Sequence, residues 1–83
     1  MEYNWLISPH SGTDATYTLT TNPYQGVYVA NLDSTNSLTF EIPQLGELTL
    51  LPNQQYRDFF KVPFISVEVT NPNGCKFIVA RCE

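Results

Sequence analysis

The chain has one histidine, His10, in a Pro-His-Ser-Gly segment with Ser11 beside it and Asp14 four residues on. Serine, histidine and aspartate can carry out nucleophilic acyl transfer. That chemistry needs groups from separate chain segments to converge on a nucleophile beside an oxyanion hole. Neighbours on one short stretch do not meet that requirement, and His10 is expected in a surface loop. Zinc needs about four ligands. One histidine and two cysteines, Cys75 and Cys82, with no Cys-x-x-Cys pair, do not supply them. Two carboxylates could converge from anywhere to cleave a glycoside, but a chain of 83 residues leaves little room for the deep cleft that raises a carboxylate pKa. Asp33-Ser34-Thr35-Asn36 lacks the alternating ligand spacing of a calcium loop, and there is no phosphate loop or dinucleotide fingerprint. The expectation is a non-enzyme without cofactor or metal.

The thiols and the aromatic rings remain. On one extended strand, Cys75 and Cys82 stand about 23 Å apart at roughly 3.3 Å per residue. A disulfide needs Cα atoms within about 7 Å. Both thiols are therefore expected free, as in a reducing compartment. Tyr3, Trp5, Tyr24, Tyr28, Tyr56, Phe59 and Phe60 exceed what a small core requires. Such rings close the open ends of a sandwich, anchor a protein interface together with arginine, or stack on sugars. Trp5, in a terminal segment, is the first interface candidate. The segment Gln54-Gln55-Tyr56-Arg57-Asp58-Phe59-Phe60, which contains Arg57, is the second.

These residues must be positioned by strands. Tyr3–Ser8 reads as a strand or arm within residues 1–12, ended by Pro9 and the loop His10-Ser11-Gly12. Ala15–Thr20, Gly26–Leu32, Leu38–Ile42, Leu48–Leu50, Ile65–Thr70 and Lys76–Arg81 alternate apolar and polar residues or run apolar. Turn residues separate them: Asn22-Pro23, Asp33 to Asn36, Pro43 with Gly46, and Asn71-Pro72-Asn73-Gly74. Asn53 to Lys61 could form at most a turn or two of helix between Pro52 and Pro63. Six to seven short strands at this spacing predict one all-β domain over residues 1–83, a small antiparallel sandwich or barrel. Its core is expected at Leu19, Val27, Val29, Leu38, Phe40, Ile42, Leu48, Leu50, Ile65, Val67, Val69, Phe77 and Val79.

Charge is sparse, at 14% of residues against 42% apolar, with a net charge of −4. Residues 1–56 hold Glu2, Asp14, Asp33, Glu41 and Glu47 and no Lys or Arg. Arg57, Lys61, Lys76 and Arg81 all follow. Nucleic-acid binding needs clustered positive charge, so none is expected. Neither a secretion signal nor a run of about eighteen apolar residues is visible, so no membrane is expected either. A domain this small buries only about 60–65% of its unfolded surface and usually relies on a disulfide, a metal or a partner. With the first two not expected, a partner subunit is. The charge asymmetry would suit a head-to-tail contact between copies.

From Tyr24 onward the chain resembles the small β-sandwich virion proteins of tailed bacteriophages, the capsid decoration (cement), spike-base and head-fibre type. The resemblance lies in Gly26-Val27-Tyr28-Val29-Ala30-Asn31 followed by a polar turn, then Leu38-Thr39-Phe40-Glu41-Ile42 and Leu48 to Pro52. Phe64-Ile65-Ser66-Val67-Glu68-Val69 and the closing strand after Gly74 continue it. It implies a trimer or other homo-oligomer bound to a capsid shell or other virion proteins, folded in the host cytoplasm. It carries no catalytic residues. A carbohydrate- or receptor-binding module using surface aromatics is the alternative.

Overall fold

The computed structural model describes residues 6–22, 25–59, 62 and 64–82. They form eight strands: β1 Leu6–Gly12, β2 Thr16–Thr20, β3 Gly26–Asn31, β4 Leu38–Ile42, β5 Gly46–Leu50, β6 Gln55–Phe59, β7 Ser66–Thr70 and β8 Phe77–Cys82. All pairs are antiparallel, and the strands lie in two four-stranded sheets ordered β1-β8-β3-β6 and β2-β7-β4-β5. The expected all-β sandwich is present, with more strands than the six or seven expected.

The strand order has a simple origin. β4 pairs with β5, β3 with β6, β2 with β7 and β1 with β8. Each residue thus meets a partner about as far beyond residues 43–45 as it lies before them. The chain is one long hairpin, rolled up so that β3–β8 and β4–β7 contacts complete the two sheets. An eight-stranded double sheet rolled in this way is a jelly roll. The hairpin tip is the turn in which Leu45 N–H donates to the Ile42 carbonyl (2.8 Å) and Gly46 takes a φ of 101°. That φ lies in the region where only glycine is unstrained.

Alternation places the core between the sheets. Twelve of the thirteen expected core residues are buried there, and Leu48 is half-buried against them. Cys75 joins them. Among the described residues three buried polar side chains tie loops to this core. Asn31 Nδ2 donates to the carbonyls of Asn36 (2.8 Å), Leu50 (3.2 Å) and Leu51 (3.3 Å), while its Oδ1 accepts from Asp33 N–H (3.0 Å). Asn71 Nδ2 donates to the carbonyls of Asp14 (3.1 Å) and Cys75 (2.8 Å), and its Oδ1 accepts from Cys75 N–H (2.9 Å). Thr21 Oγ1 accepts from Ile65 N–H (2.8 Å). Buried amides must be satisfied in this way, because water is not there to do it.

Two expectations are corrected. His10 and Ser11 are not in a loop: β1 runs on through Pro9 to Gly12. β1 is an edge strand, where a proline's missing N–H is tolerated, and the register shifts between Ile7 and His10 at a bulge with Ser8 at φ 49°. Nor does a helical turn occupy 53–59, because Gln55–Phe59 is β6, the opposite edge of the same sheet. Each open side of the sandwich is plugged by a ring. His10 from β1 stacks on Tyr17 from β2 (centroids 4.0 Å, interplanar angle 6°), and both lie against Phe77. On the other side Tyr56 packs on Phe40, centroids 5.5 Å apart.

Candidate interaction surface

The interior is filled by side chains, and no pocket or metal-ligand cluster is found among the described residues. The two outer faces differ sharply.

On the β2-β7-β4-β5 sheet the outer face is polar. Thr16, Thr70, Thr39 and Thr49 form one row across all four strands, and Thr18, Glu68, Glu41 and Glu47 form the next. Glu41 stands opposite a glutamate on each side, an arrangement that opposes pairing by like-charge repulsion.

The outer face of the β1-β8-β3-β6 sheet is almost free of charge. One row across it is Leu6, Cys82, Gly26 and Phe59; the next is Ala80, Tyr28 and Arg57; the third is Ser11, Ile78, Ala30 and Gln55. Among the described residues Arg57 is its one charged side chain. The floor, Gly26, Ala30, Ala80 and Cys82, is small and buried although it points away from the core. A methyl group at Gly26 would meet the Asp58 carbonyl oxygen at 2.5 Å and Cys82 Sγ at 2.9 Å, so glycine makes room for the sulfur. Around this floor Leu6, Tyr28, Phe59 and Ile78 are partly exposed, and Arg57 and Gln55 are exposed.

Tyr28 is held from two directions. Its hydroxyl donates to Gln55 Oε1 (2.7 Å), and the Arg57 guanidinium lies 5.1 Å from its ring centroid. A cation over a tyrosine face is worth about 0.5–1 kcal/mol at an exposed site. Both partners sit on β6, so the ring is fixed before any partner arrives. Tyrosine and arginine, backed by apolar groups, make up the usual energetic centre of protein interfaces.

Of the eight interface candidates, Tyr28, Arg57 and Phe59 come together on this face. Tyr56 turns inward, and its hydroxyl donates to Asp58 Oδ2 (3.1 Å). Burial, and then the Asp58 carboxylate, push its pKa up to about 12. Tyr3, Trp5, Tyr24 and Phe60 lie outside the described residues. Cys75 and Cys82 are free, as expected, and both are buried. Burial raises both thiol pKa values, with Asp33 adding to the rise at Cys75 and Arg57 opposing it at Cys82.

His10 Nε2 and Asp14 Oδ1 are 2.9 Å apart, and this bond is the first cause of a lowered Asp14 pKa. Ser11 belongs to the opposite face of β1 from His10 by alternation. The three residues do not form a triad.

Sequence reasoning missed the small floor. Ala30, Ala80 and Cys82 carry no pattern of their own; the continuous apolar runs of β3 and β8 were the available signal. Such runs mark strands covered on both faces. In comparisons with known proteins, no family model, no curated protein and no solved structure matches the chain.

Proposed function

We propose that this chain is a virion structural protein, of the capsid decoration or spike type, which acts by docking the outer face of its β1-β8-β3-β6 sheet on a neighbouring protein. The observation that carries the docking is the Tyr28–Arg57–Gln55 cluster, braced over a small apolar floor on a face with a single charge among the described residues. The virion setting is supported by the resemblance in residues 24–83 and by the jelly-roll strand order, an architecture that recurs in viral capsid proteins. That second support is an analogy of fold, and the same architecture also serves lectins and cupins. A sugar-binding module would be served by an exposed coplanar pair of rings. The coplanar pair among the described residues, His10 and Tyr17, is stacked on itself between the sheets.

The test has two arms. Mass spectrometry of purified particles of the encoding virus should find the chain in fixed proportion to the shell protein, and particles without it contradict the virion reading. Arg57→Glu should weaken docking on those particles at least about tenfold, about 1.4 kcal/mol, with an unchanged circular-dichroism spectrum. Undiminished docking by that folded variant would remove this face from the contact.

A further inference from the structure

Each sheet has two edge strands, and three of the four edges are guarded. β1 has Pro9, a bulge and the positive φ of Ser8. β6 carries Arg57 at its centre, so that a second copy paired there would oppose arginine to arginine. β5 carries a charge on the edge strand itself, Glu47, so that a second copy paired there would set glutamate on or beside glutamate, whereas the same row ends on β2 in the uncharged Thr18. Proline, bulges and charge are the ordinary means by which proteins prevent edge-to-edge pairing. β2, Thr16-Tyr17-Thr18-Leu19-Thr20, has none of them.

The free groups of β2 follow from its neighbours. At its two ends the Ala15 carbonyl accepts from Asn71 N–H and Thr21 N–H donates to the Ile65 carbonyl, both at 2.9 Å and both towards β7. Backbone direction alternates along a strand in an antiparallel ladder. Tyr17 and Leu19 therefore also bond β7, and Thr16, Thr18 and Thr20 turn their N–H and C=O groups to the open edge. The Thr20 carbonyl takes a long contact from Arg81 Nη1 (3.4 Å) and has a second lone pair. No other partner for these groups is present among the described residues, and all three threonines are exposed.

We infer that β2 pairs antiparallel with β2 of a second copy, about a two-fold axis at Thr18. The strand is palindromic in character: reversed, it again reads Thr, apolar, Thr, apolar, Thr. A two-fold axis requires this self-complementarity, since each residue must meet its mirror position on the partner. Thr18 faces Thr18 of the other copy and Thr16 faces Thr20, all with outward hydrogen-bonding groups. Tyr17 meets Leu19 on the inner face. Threonine pairs and aromatic–aliphatic pairs are favourable across strands, and no like charges are opposed. The product is one sheet of eight strands running through two jelly rolls, with the outer face of each β1-β8-β3-β6 sheet outside the pairing. The pairing needs no virus, so it stands apart from the function proposed above.

A cysteine cross-link tests it. Hydrogen-bonded antiparallel pairs have Cα atoms about 5.5 Å apart, within disulfide reach. Under mild oxidation Thr18→Cys should give a covalent dimer on non-reducing electrophoresis, while Thr49→Cys, on the guarded β5 edge, should not; the buried native thiols stay silent. Thr18→Lys, which places two ammonium groups on the axis, should weaken self-association at least about tenfold and keep the β spectrum. Cross-linking at Thr18→Cys no stronger than at Thr49→Cys would overturn the inference. So would unchanged association of folded Thr18→Lys. Arg57→Glu leaves this cross-link intact, so the docking face and the pairing edge fail separately.

Discussion

Asn31 and Asn71 are turn formers by residue type, and both end up inside the protein. Each closes a loop against the end of the sandwich with its amide fully used. The sequence marks Asn71 as a turn residue and places Asn31 in the strand Gly26–Leu32; their burial depends on which distant carbonyls the roll brings within reach. Asn31→Ala leaves several buried groups without a partner, each worth about 1–3 kcal/mol. We expect a loss of at least that size in urea unfolding, with the native strand content retained. Tyr56 is a second residue-scale test. Its phenol is neutral in both states below pH 10.0, the ordinary value, and its folded pKa is about 12. Between these values the unfolded chain ionises first, so stability falls as pH rises through that window. Tyr56→Phe should remove its share of the alkaline loss in unfolding curves compared on either side of the window. Asp14 and Asp33 act at the other end. The His10 contact at Asp14, and the N–H groups of Asn36 and Thr35 at Asp33, lower their pKa values, so their contribution is lost as pH falls below the ordinary 3.8.

Strands were legible wherever apolar residues alternate. β2, β4, β5 and β7 follow from Tyr17 and Leu19, Leu38 to Ile42, Leu48 and Leu50, and Val67 and Val69. β6 was not, because Gln-Tyr-Arg-Asp-Phe is an edge strand with only Tyr56 turned to the core, and one apolar residue makes no period. By sequence alone β1 ends before Pro9, because proline lacks the N–H a central strand needs, and this bulged edge tolerates it. Pairing partners were beyond reach, since nothing within a strand names the strand it will meet. The roll does bring two glycines to contrasting positions. At Gly26 a methyl group collides with backbone and sulfur; at Gly46 it meets nothing within 4 Å, and only the φ of 101° resists it. Gly26→Ala should therefore destabilise by about 1–3 kcal/mol through overpacking and increase the reactivity of the Cys82 thiol. Gly46→Ala should cost only the backbone strain, about 1 kcal/mol, and leave that thiol unreactive. Thermal unfolding and thiol labelling separate the two.

At the scale of the whole molecule, rolling one hairpin converts a charge bias along the chain into a bias between faces. Glu41 and Glu47 from the tip join Glu68 on one outer face, while Arg57 is the one charge among the described residues of the other. The docking face was half legible: Tyr28, Arg57 and Phe59 are conspicuous by type, but the roll alone decides that they adjoin and that Tyr56 does not. The account rests on a small domain that satisfies its free surface by meeting other chains. Light scattering coupled to size exclusion, over a range of protein concentration, measures this directly. The account predicts a mass above that of the 9.4 kDa chain that rises with concentration, through β2. A single well-folded chain mass persisting at the highest concentration would contradict it.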